Sequence, residues 1–134
     1  MSNAAPDPQG RTPLHHAALV NDAGAIEQLL ARGTHPSPQD DQGFTPLHLA
    51  AQESGIEAMG ILLSQGASVD QENRYGNTPL WTAVFNSHGR GDVIALLRAH
   101  GADPHRPNAH GRTPLDLARS IANYDVGQFF QDLD

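Results

Sequence analysis

Apolar residues along this chain fall into short helical stripes rather than one long pattern. Leu47, Ala50 and Ala51 follow Thr45-Pro46 at helical spacing, Ser54-Gly55 interrupts, and Ile56, Met59, Leu62 and Leu63 form a second stripe ending at Gly66. A Thr hydroxyl caps a helix start, Pro suits the first helical position where its missing N–H costs nothing, and Gly supplies a left-handed stop. The pattern predicts a helical hairpin. Gln42-Gly43 ahead of it reads as a turn needing positive φ, so each unit adds a projecting loop or hairpin.

That unit repeats. Thr-Pro-Leu starts at Thr12, Thr45, Thr78 and Thr113, which are 33, 33 and 35 residues apart. Self-similarity at this period predicts a solenoid, in which no unit buries its apolar face alone and function sits on a surface. The hexapeptide Thr45-Pro46-Leu47-His48-Leu49-Ala50 resembles the ankyrin repeat signature Thr-Pro-Leu-His-x-Ala. The resemblance covers about residues 7–134. It implies an all-α repeat solenoid of helix-turn-helix units with short β-hairpin or loop fingers. Four repeats are expected at about 7–39, 40–72, 73–107 and 108–134, in one domain, after a lead-in of residues 1–6 that carries no fold signal and whose first four residues read as an expression leftover.

Departures from the pattern mark the ends and one turn. His16 stands where the second repeat has Leu49, as expected of a terminal unit with no outer neighbour, and Thr34-His35-Pro36-Ser37-Pro38 reads as a stiff extended connector. Trp81 replaces the motif His of the third repeat, and two extra residues fall within 86–90 without disturbing the flanking stripes. Shortening that turn is therefore expected to be tolerated. Thr113 with Asp116 predicts a capping box, the last helix turns polar at Gln128, Gln131 and Asp132, and at least one of Phe129 and Phe130 is expected to pack back on repeat three.

Composition narrows the partner more than the fold. Aromatics are 5%, so the core must come from Leu, Ile, Val and closely packed Ala. The net charge is −7, and all eight basic residues are arginines scattered singly, which argues against a nucleic-acid partner and for a basic protein. Without cysteine there is no disulfide framework and no thiolate site. No apolar run approaches the ~20 residues of a membrane span, so a cytosolic protein, monomeric by itself, is the simplest expectation. A lysine-free, Ala- and Gly-rich composition suits a GC-rich bacterial genome.

Catalytic chemistry is not foreseen. Of eight histidines, His15 and His48 are motif positions whose rings can bond a neighbouring turn, and His105 and His110 lack the spaced partners of a zinc site. No phosphate loop, His-Glu-x-x-His helix or nucleophile elbow occurs, so neither enzyme activity, metal nor cofactor is expected. Arg90-Gly91-Asp92 matches an adhesion tripeptide, but Asp92 also sits where an acid favours a helix start.

The ankyrin resemblance implies a contact surface made of the finger tips and the exposed side of each first helix, together lining a concave groove. On these positions it places Asp41, Phe44, Arg74, Tyr75, Asn77, His110 and Arg112 at or near the tips, and Glu53, Trp81 and Phe85 along the helices. Phe44, Tyr75 and Phe85 are unburied by the logic of the repeat, and clustered aromatics are typical interface anchors. The implied function is non-catalytic binding of a partner protein, with Asp41 and Glu53 as acidic flanks. A narrower expectation is an immunity or inhibitor protein that occludes the basic active site of a bacterial toxin enzyme. A regulatory scaffold subunit is the remaining alternative.

Overall fold

A computed structural model of the chain describes residues 7–133, so the lead-in of residues 1–6 lies outside it. Its inner row of helices is α1 Pro13–Leu19, α3 Pro46–Gln52, α5 Pro79–Phe85 and α7 Pro114–Ser120. The outer row is α2 Ala23–Ala31, α4 Ile56–Ser64 and α6 Asp92–Ala99, and a 3-10 helix, Val126–Leu133, ends the chain. Each inner helix starts alike, with Thr12, Thr45, Thr78 or Thr113 in extended backbone, its side chain accepting a backbone amide three residues on, and Pro in the first turn. The local signal is thus executed four times.

The rows pack in register, α1 on α3 on α5 on α7 inside and α2 on α4 on α6 outside. Leu14, Leu47 and Leu80 of the inner row and Ile26, Met59 and Ile94 of the outer row are fully buried. At roughly 1.5–3 kcal/mol per buried aliphatic side chain, the interfaces between repeats carry the stability. Phe130 is fully buried, and Arg98 lies over its ring, donates to the Phe129 carbonyl and pairs with both carboxylate oxygens of Asp132 at 2.8 and 2.7 Å. Both rings fold back on repeat three, Phe130 under Arg98 and Phe129 against Gly91.

Three features refine the expectations. First, of the two forms expected for the fingers, hairpin or loop, the loop is found, since no β-strand occurs among the described residues. The reason is a recurrent side chain: Asp7, Asp40, Asn73 and Asn108 each use Oδ1 to accept the amides two and four residues on, occupying donors that a hairpin ladder would use. Neighbouring fingers are stitched by backbone bonds, Asp41 N to Gln9 O, Arg74 N to Gln42 O and Ala109 N to Tyr75 O, at 2.9–3.0 Å. Gly43 has φ +82°, and a Cβ there would meet the Arg74 amide nitrogen at 2.9 Å, which fixes glycine at this crossing. Second, the last helix is 3-10, broken at Phe130 (φ −128°), because that ring leaves helical register to reach the core. Third, the enlarged turn of repeat three is packed rather than free. Ser87 is buried, His88 lies edge-on to Tyr124 with ring centroids 6.4 Å apart, and a Cβ on Gly91 would collide with the Phe129 ring.

Candidate functional site

The inner helices and fingers bound a groove of about 380 Å³ at the centre of the array. Phe44, Tyr75 and Asn77 line it from the fingers, Trp81 and Phe85 from α5, with Gln52, Asn73, Thr82 and Asn86 completing the wall. Trp81 and Phe85 share a face of α5 because they are four residues apart. Phe85 is 69% exposed and Tyr75 42%, whereas Trp81 is half-buried. Phe44 differs from expectation. It is half-buried, edge-on to His48 at 5.5 Å, and its carbonyl accepts the His15 ring N–H at 2.8 Å, so part of its role is structural.

The motif histidines hold this wall in place. In each of His15 and His48, Nδ1 accepts the amide of the capping Thr and Nε2 donates across to the next finger, to the carbonyl of Phe44 or of Asn77 at 2.8 and 2.9 Å. That geometry requires the neutral ring. Burial pushes the pKa of His48 from 6.5 down to about 4, against the pull of the Asn77 carbonyl, and lowers His15 for the same reason. Trp81 breaks the series, and there the fingers are joined by Asn108 Nδ2 donating to Asn77 Oδ1 at 2.9 Å. A polar bridge on Asn77 thus replaces the ring and leaves the indole beside the groove.

The remaining sequence-predicted residues flank the groove instead of lining it. Arg74 lies over Tyr75, 5.6 Å from the ring centroid, and Arg112 lies 5.9 Å from the Trp81 centroid while donating to Ser120 Oγ at 3.2 Å. Asp41 is exposed at its finger tip, Glu53 is exposed at the end of α3 with Oε2 accepting from Gln52, and His110 is exposed at the fourth finger. Acids therefore flank the groove on repeat two and arginines on repeats three and four. Sequence reasoning missed the four Asx residues that shape the fingers, although each stands five residues before its capping Thr, at the same period as the motif. It also missed Thr82 and Asn73, whose place in the groove follows from packing.

Among the described residues no group of three or more His, Cys, Asp and Glu could hold a metal ion, and no helix is long and apolar enough to cross a membrane. The polar groups lining the groove are side-chain amides, the hydroxyls of Thr82 and Tyr75, and the indole N–H of Trp81. What this arrangement offers is aromatic surface with hydrogen-bonding groups around it.

A family model described as ankyrin repeats (3 copies) matches residues 14–108. A stretch of 40 residues is 48% identical to the 2-5A-dependent ribonuclease of Mus musculus, covering 28% of this chain and 5% of that protein. The likeness therefore concerns a small part of the relative. Beyond the matched residues, α7 starts with a capping box, buries Leu115, Leu117 and Ala118, and packs on α5. With most of its length matched and the helical pairs stacked in register, the chain belongs to the ankyrin repeat family.

Proposed function

We propose that this chain binds one partner protein by seating a segment of it in the central groove. Ankyrin repeats are generally protein-interaction modules. The observation that carries the reading is the convergence of Tyr75, Trp81 and Phe85 on one groove, two of them well exposed, within a wall of side-chain amides. Exposed aromatics that gain a desolvated pocket on binding supply most of an interface's energy.

The flanking charges refine the expected partner. Asp41 and Glu53 on the repeat-two side suit a basic side chain, while Arg74 and Arg112 on the other suit an acidic one, so the segment is dipolar rather than uniformly basic. Neither the family nor the relative lends support to the narrower toxin-inhibitor expectation. The test begins with affinity capture from native extract, followed by surface plasmon resonance with the purified partner. Tyr75→Ala and Phe85→Ala should each cost roughly 2 kcal/mol or more, mainly through faster dissociation. Wild-type dissociation in both variants, with intact folding, would remove the groove from the interface.

A further inference from the structure

The outer face of the first repeat carries a second surface, away from the central groove. Leu19 and Val20 at the end of α1, with Ala25 and Leu29 of α2, line an open groove of about 530 Å³ whose rim includes Asp22 and Arg32. Val20 is 74% exposed. In the second repeat the positions of Ala25 and Leu29 are held by Ala58 and Leu62, both fully buried because repeat one stacks on them. This face is thus the array's own stacking surface, left without a described neighbour.

Its charge pattern says what covers it. Asp22, Ala25, Leu29 and Arg32 are spaced three, four and three residues apart, forming one stripe along α2 that spans about 15 Å. The stripe has the same spacing read in either direction. Two copies packed antiparallel about a two-fold axis bring Asp22 opposite Arg32 at both ends and Ala25 opposite Leu29 twice in the middle, small against large. Asp22 spends Oδ1 on the Ala25 amide and keeps its other oxygen, and no carboxylate among the described residues pairs with Arg32. The second repeat has neutral Gly55 and Gln65 at these two positions, so the first repeat carries charged ends that the second lacks.

We infer that this face is an isologous dimer interface, in which α2 of one copy packs antiparallel on α2 of a second copy of the same chain. Exposed charge pairs add little affinity, so the apolar centre drives association and the Asp22–Arg32 pairs fix its direction. None of the stripe residues lines the central groove, so the dimer carries two such grooves and binds a repetitive or dimeric partner with avidity.

Sedimentation equilibrium of the 134-residue chain, from micromolar to millimolar concentration at about 0.15 M salt, tests this. A reversible monomer–dimer equilibrium is expected. Leu29→Glu should move its midpoint at least about tenfold to higher concentration. Asp22→Arg and Arg32→Asp should each weaken it, since like charges then meet at both ends. Their equimolar mixture should regain the dimer, because one variant carries two cations on the stripe and the other two anions. Circular dichroism melts confirm folding, and Arg32→Asp leaves the Asp22 cap untouched. A chain that stays monomeric throughout, whether a neighbouring segment or nothing covers the face, overturns the inference. So does a dimer indifferent to Leu29→Glu, or a mixture that stays monomeric.

Discussion

Asn21 of the first repeat accepts the backbone amide of Ala58 on its Oδ1 at 2.9 Å, so one repeat caps an outer helix of the next. Helix α4 starts at Gly55 with no side-chain cap of its own, and Asn21 Nδ2 also donates to Glu57 Oε1 at 2.7 Å. Asn21 holds φ +56°, a left-handed backbone that asparagine tolerates better than alanine. Asn21→Ala should therefore cost about 2 kcal/mol, cap and backbone together, and Asn21→Gly about 1 kcal/mol, the cap alone. Urea melts that show neither loss would mean that α4 does not depend on its neighbour.

Acid should loosen the array through its motif histidines. His48 has a folded-state pKa near 4 against an ordinary 6.5, so protons favour the unfolded chain. The stabilisation is full above about pH 6.5, falls with pH below that, and is lost by about pH 4, for a total on the order of 3 kcal/mol. His15 shifts in the same direction. Denaturant melts between pH 7 and pH 5 isolate this from most carboxylate titration. His48→Gln should flatten the dependence, and an unchanged slope would move the effect elsewhere.

Stability should be greatest where a repeat has neighbours on both sides. Leu47 and Leu62 are 1% and 0% exposed in the second repeat, and truncation to Ala should cost roughly 2–5 kcal/mol. Leu133 is half-buried at the end of the array and should cost far less. Equal losses at all three positions would contradict coupling through neighbours.

The six-residue turn 86–91 should resist shortening. Its Gly89 and Gly91 sit beneath Tyr124 and Phe129, so deleting 87–90 should release the 3-10 helix. Gly91→Ala is the finer probe, because its φ of −109° suits alanine and only the Phe129 ring must give way. A loss of about 1–3 kcal/mol is expected, with hydrogen exchange rising first in residues 126–133. Unchanged protection there would show the turn and the terminal helix to be independent.

Phe44→Ala should separate from the other aromatic variants. Its ring packs on His48, so the variant should lower the thermal melt as well as binding, while Tyr75→Ala and Phe85→Ala leave the melt near wild type. Identical melts for all three would place Phe44 outside the structural wall.

The sequence by itself determined the repeat, because its signals are local. Thr12, Thr45, Thr78 and Thr113 cap helices within three residues, prolines fit the first turn, and glycines mark the left-handed stops, so the period and the helix starts could be read without tertiary information. The ankyrin resemblance put Tyr75 at a finger and Trp81 and Phe85 along a first helix, and all three line the groove. Tertiary structure decided what depends on contacts about 30 residues apart. It joined the His15 ring to the Phe44 carbonyl and the His48 ring to the Asn77 carbonyl, and laid Tyr124 and Phe129 over the turn 86–91. It also separated the groove lining from the flanking Asp41, Glu53, Arg74, His110 and Arg112. Each of these outcomes is set by where the neighbouring repeat puts its backbone and side chains, which spacing within one repeat does not encode.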